Sequence, residues 1–186
     1  KVDLPMEALS QAALGKIPVV MRANAEADIK AAVRFATENR LKLIIAGGAE
    51  AWRYVDELKK ADVAVLTGVE QLPTREGDPY DAAYANPATL HKAGVRFAIV
   101  TDDAAYSRNL PFEAAMAHAF GLPKDAALRA ITLSPAEIFG VAGSLGSIEP
   151  GKDADLVAVD LGGLDIAPVF DPVSHLVYAA GREHVS

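Results

Sequence analysis

Four apolar, β-favouring runs recur along the chain at intervals of roughly 20 to 30 residues, and helical patterns fill the gaps between them. The runs are KIPVVM (16–21), LKLIIA (41–46), DVAVLTG (62–68) and VRFAIVT (95–101). EADIKAAVRFATENR (26–40) carries Ile29, Ala32, Val33 and Ala36 at helical spacing. AEAWRYVDELKKA (49–61) predicts a second helix with Trp52, Val55 and Leu58 on one face, and ATLHKAG a short one before the fourth strand. Three further helical patterns follow at 111–120, 124–132 and 134–139. Strands that alternate with helices pair in parallel, because each helix carries the chain back to start the next strand in the same direction. Their continuous apolar character suits a sheet covered on both faces. Four such units make half of an eight-stranded barrel or most of a doubly wound sheet.

After residue 140 the pattern changes. GSLGSIEPGKDADLVAVDL is turn-rich and holds one alternating strand, Asp155 to Asp160. We therefore expect two units: a partial (β/α) barrel over 1–143, and a small partial β-sandwich over 144–186. EPGKDADL is not a phosphate-binding loop, because the preceding Gly and following Ser or Thr are missing. Pro150-Gly151 reads as a turn.

Bulk composition limits the partners. With 18 basic against 25 acidic residues, a net charge of −7 and no long basic run, nucleic acid is not an expected partner. The chain has no apolar run of about 18 residues, so no membrane span is expected. The absence of cysteine excludes disulfides, thiolate metal sites and a Cys nucleophile. Lys1 opens the chain without a signal-peptide pattern, which leads us to expect a fragment or a processed chain. It is expected to be soluble, with cytoplasm and periplasm both open.

In either parallel architecture the chemistry sits at the carboxyl ends of the strands. Those ends are Arg22 to Asn24, Gly47 to Glu50, Thr67 to Tyr84, and Thr101 to Tyr106. Asp102 is the candidate catalytic carboxylate and metal ligand there. Its other readings are the partner of Arg22 across the mouth, in a metal-free or altered site, and a plain turn or cap residue. Asn24 either reaches a substrate carbonyl or caps the helix starting near Glu26. Gly47 and Gly48 read as tight-turn glycines. The stretch LPTREGDPYDAAYANP is long for a connection in a compact domain and reads as a lid over the mouth. Arg22, Asn24, Glu50, Arg75, Tyr80 and Arg108 are the candidate substrate-binding residues. Arg108 and Asn109 have helix capping as their other reading. His91, His118, His175 and His184 lie away from strand ends and read as surface or packing residues.

GSIEPGKDADLVAVD (146–160) resembles the C-terminal signature of the amidohydrolase superfamily, and ALRAITLSPAEIFGV (127–141) is similar to the helices before it. IPVVMRANAEADIKAAVRFA, LIIAGGAEAW and AGVRFAIVTDDA resemble strands five, six and eight of that family's barrel with their helices. This part is similar to the imidazolonepropionase- and prolidase-related branch, whereas DPVSHLVYAAGREHV resembles the deaminase and chlorohydrolase branch. The resemblance implies an α/β fold, the C-terminal half of a (β/α)8 TIM-like barrel with a remnant of a small β-sandwich. It implies a hydrolase acting on non-peptide carbon–nitrogen bonds of a small molecule, with a divalent metal, zinc first, that lowers the pKa of a bound water. The family's strand-five His falls at Arg22 and its strand-six His at Gly47, and only the strand-eight Asp is kept, as Asp102. Arg cannot coordinate a cation and Gly offers no side chain. The expectation is a chain inactive by itself, with a degenerate, metal-free small-molecule-binding protein as the alternative. A further alternative is a half-barrel whose open edges drive homo-oligomerisation.

Overall fold

The computed structural model describes residues 4–69 and 75–153. Helix α1 (Leu4–Ala13) leads into β1 (Val19–Ala23), α2 (Glu26–Asn39) and β2 (Leu43–Gly47). A 3-10 turn (Ala51–Arg53) and α3 (Val55–Lys60) precede β3 (Ala64–Thr67), α4 (Ala82–Ala93) and β4 (Phe97–Ile99). A second 3-10 turn (Ala104–Asn109) opens onto α5 (Leu110–Ala119), α6 (Lys124–Ala130) and α7 (Leu133–Ile138).

The strands lie in the order β1-β2-β3-β4, and every pairing is parallel. Spatial order follows chain order without reversal. A doubly wound sheet reverses direction at a switch point, whereas a barrel keeps winding one way, so this is the barrel topology. Successive strand residues point to opposite faces. One set, Ala23, Leu43, Ile45, Val65, Phe97 and Ile99, joins the main core with Ile29 and Val33 of α2, Leu58 of α3, Leu90 of α4 and Ala114 of α5. The other set, Ile44, Ala64, Leu66 and Ala98, forms a smaller cluster closed by Ile138 of α7. Helices α2 to α5 thus cover the outer face, and the inner face carries the smaller apolar cluster, Ile138 of α7 and the site.

The structure differs from the sequence reading in three places. Helix α1 was not anticipated. Helix α4 begins at Ala82, so YDAAYANP is largely helical and not loop. Asn-Pro reads locally as a helix stop, but Pro87 is buried inside the helix, and tertiary packing outweighs that signal. The helix expected over 49–61 is broken at Tyr54, whose φ of −130° is outside the helical range and separates the 3-10 turn from α3. The sandwich strand at 155–160, His175 and His184 lie outside the described residues. No helix among the described residues is long and apolar enough to cross a membrane.

Candidate functional site at the barrel mouth

Arg22 pairs in register with Ala46 on β2, two residues beyond the Val20–Ile44 pair. It therefore shares the inner face with the smaller apolar cluster. Asp102 follows β4 in the left-handed region, at φ +59°, a conformation Asp tolerates better than most residues. The two meet across the mouth: Arg22 Nη1 donates to Asp102 Oδ2 at 2.6 Å, with side chains 62% and 30% exposed. The hydrogen bond to Asp102, and then its charge, push the Arg22 pKa further up. The neighbouring Asp103 has extended backbone and caps the 3-10 turn, accepting from Ala105 N–H at 2.8 Å.

A second charged group lies beside the mouth. Glu50 is buried, and its carboxylate accepts from the backbone N–H of Glu26 at 2.6 Å and forms an ion pair with Arg75 at 2.8 Å. The N-cap of α2 is Ala25, whose methyl group cannot cap, so Glu50 serves the helix N-terminus from the next βα loop. Glu26 pairs with Lys30 at 2.6 Å and lies 3.5 Å from Arg75. The Lys30 hydrogen bond holds the Glu26 carboxyl below the usual carboxylate range. Arg53 pairs with the nearly buried Asp78 and lies over the Trp52 ring at 4.1 Å. These pairs tie the segment after β3 to the loop after β2.

Asn24 does not cap α2. Its Oδ1 is buried without a hydrogen-bond partner, and a Cβ on Gly47 would overlap it. Gly47 has φ +99° and Gly48 φ +60°, and a Cβ on Gly48 would lie 2.5 Å from Val65. Both glycines are therefore required by the turn and by its neighbours. Tyr80 is 78% exposed, and Arg108 sits in the 3-10 turn before α5. Neither side chain makes a hydrogen bond or ion pair among the described residues. Of the seven candidates, the structure brings Arg22 to Asp102 and Glu50 to Arg75, sets Asn24 against Gly47, and leaves Tyr80 and Arg108 apart.

Two buried polar residues had not been singled out. Asn86 of α4 donates to Gly48 O at 3.0 Å and to Thr67 Oγ1 at 3.1 Å, tying the ends of β2 and β3 together. Glu113 of α5 accepts from Val69 N–H at 2.5 Å and holds the chain leaving β3. Glu113 follows Pro111 in a helical first turn, which signals helix start but not a reach to another loop. Asn86 was hidden by the loop reading of its Asn-Pro pair.

The described residues do not by themselves fit a metal. Among the described residues, no group of three or more His, Cys, Asp or Glu could hold a metal ion. His91 lies in α4, and His118 of α5 faces Leu122 O at 2.8 Å. Asp102, the carboxylate expected as a ligand, is engaged by the Arg22 guanidinium.

A singly wound parallel sheet, helices on its outer face and polar groups at the strand ends define a (β/α)-barrel protein with its site at the mouth. The amidohydrolase family profile matches residues 81–185, and the chain belongs to that family. It is 37% identical over 110 residues to the 5-methylthioadenosine/S-adenosylhomocysteine deaminase of Teredinibacter turnerae, covering 53% of this chain and 25% of that protein. The enzyme of the same description from Acetivibrio thermocellus is 38% identical over 106 residues, covering 50% and 24%. Among solved structures, an amidohydrolase from Thermotoga maritima superposes with a TM-score of 0.76 at 34% identity, covering 84% of this chain and 41% of that one. An adenosine deaminase from Xanthomonas campestris with bound zinc gives 0.63 at 30% identity, covering 97% and 45%. The chain thus spans less than half of these solved chains, and its matched stretch about a quarter of the curated relatives.

Proposed function

We propose that the protein is an amidohydrolase-family small-molecule-binding barrel in which the Arg22–Asp102 pair occupies the mouth in place of a metal. The observation that carries this is the 2.6 Å bond from Arg22 to Asp102, which the family resemblance sets at the strand-five His and strand-eight Asp positions. A guanidinium supplies permanent positive charge and fixed donors but no lone pair to share with a cation. It orients anionic or carbonyl groups well and does not generate a hydroxide. Gly47 supports the same reading, since the buried Asn24 side chain fills the space a larger residue would need. The outer edges of β1 and β4 have no strand partner among the described residues, and the isolated chain closes them by self-association.

A second reading is hydrolysis of a non-peptide carbon–nitrogen bond of a small molecule, with zinc supplied through residues outside those described. The identity to deaminases favours it. The discriminating experiment incubates the purified protein with 5-methylthioadenosine, S-adenosylhomocysteine or adenosine, with and without added zinc, and follows ammonia release. The binding reading expects no release above the blank. Zinc-dependent release that disappears in Asp102→Asn would overturn it in favour of hydrolysis.

A further inference from the structure

The Arg22–Asp102 pair leaves hydrogen-bonding capacity unused on both sides. A guanidinium presents several N–H donors in a rigid fork, and a carboxylate accepts through two oxygens. Among the described residues, Arg22 spends only Nη1, and Asp102 receives it on Oδ2 alone. The pair is open to solvent, at 62% and 30% side-chain exposure. Beside it the inner face is apolar and low. Ala46 is the register partner of Arg22, Leu66 is the partner of Ala46, and Val100 packs on the same cluster. A ligand entering here meets a donor fork, an adjacent carboxylate oxygen and a short aliphatic floor.

Single-charge ligands answer only half of that arrangement. A simple carboxylate satisfies Arg22 but is repelled by Asp102, and a simple amine has the opposite problem. A molecule with both charges on neighbouring atoms satisfies both and keeps the pair neutral. Resting on the binding reading above, we propose that the mouth takes a small zwitterionic aliphatic amino acid. Its carboxylate lies on the free edge of the Arg22 guanidinium, its ammonium on the free oxygen of Asp102, and its side chain over Ala46 and Val100.

The test is calorimetric titration of the purified protein with L-valine and with its two single-charge analogues, isovalerate and isobutylamine. L-valine binds saturably, and each analogue binds roughly tenfold or more weakly, as expected for one lost charge-assisted bond. Arg22→Lys keeps the charge but loses the fork and weakens L-valine binding by a similar factor. Asp102→Asn keeps the side-chain shape and tolerates the left-handed backbone, and it abolishes the preference for L-valine over isovalerate. Metal content is measured on the same samples. A metal-free protein that does not bind L-valine, or binds isovalerate equally well, overturns this proposal and leaves the broader binding reading standing. Stoichiometric metal lost in Asp102→Asn overturns the broader reading and the proposal with it.

Discussion

Asp102 sits at φ +59° and Asp103 at φ −140°, and this difference sends two adjacent carboxylates to different tasks. Asp103 closes a local turn. Asp102 is swung across the mouth to a guanidinium 80 residues earlier in the chain. Strand alternation is a local rule, so Arg22 and Asp102 were legible as mouth residues from sequence. The partners of Glu50, Asn86 and Glu113 were not legible, because each serves a backbone group on another element. Removing the Glu113 carboxylate strands the buried N–H of Val69, so Glu113→Ala should cost about 1–3 kcal/mol in urea unfolding. Glu113→Gln, which keeps an acceptor oxygen, should recover part of that. Gly47→Ala forces a side chain into a positive-φ position against Asn24, and the expected loss is about 1–3 kcal/mol. A Gly47→Ala protein as stable as the parent would mean that the Asn24–Gly47 contact carries no constraint.

At the scale of elements, the N-terminus of α2 is where charge and backbone meet. Glu50 comes from the loop after β2, Arg75 from the segment after β3, and Glu26 from the helix itself. Glu26 is more acidic folded than unfolded, chiefly through its hydrogen bond from Lys30. Its contribution to stability is therefore present above the unfolded value near 4.5 and is lost as pH falls through the lower folded value. Glu26→Gln should flatten that acid limb, seen as a smaller difference between urea midpoints at about pH 7 and about pH 3. An unchanged pH dependence would put the acid sensitivity elsewhere. Periodicity placed each of the four strands within a few residues, since buried β-branched runs are read directly. It misjudged α4, where Ala-rich helix propensity and tertiary packing outweigh the Asn-Pro stop signal. It also ran the 3-10 turn and α3 together, because hydrophobic spacing does not register the break at Tyr54.

For the whole molecule, sheet order decides what the sequence left open. Repeated βα units allow a barrel or a doubly wound sheet, and the order β1-β2-β3-β4, without reversal, selects the barrel. The same order leaves β1 and β4 as edges among the described residues. A two-fold axis parallel to the strands would place β1 of one copy beside β4 of another with all strands parallel. The isolated chain should therefore elute above monomer mass in light scattering, and a stable monomer would show that those edges need no partner. The amidohydrolase resemblance was carried by residues 146–160 and the strand ends, and the family match agrees with it. The balance between binding and hydrolysis depends on the chemistry at the mouth. Elemental analysis of the purified protein and of its Asp102→Ala variant tests this most directly. The Arg22–Asp102 account predicts no stoichiometric metal in either protein. Stoichiometric zinc, nickel or iron in the parent and its loss in Asp102→Ala would make Asp102 a working ligand and contradict the account.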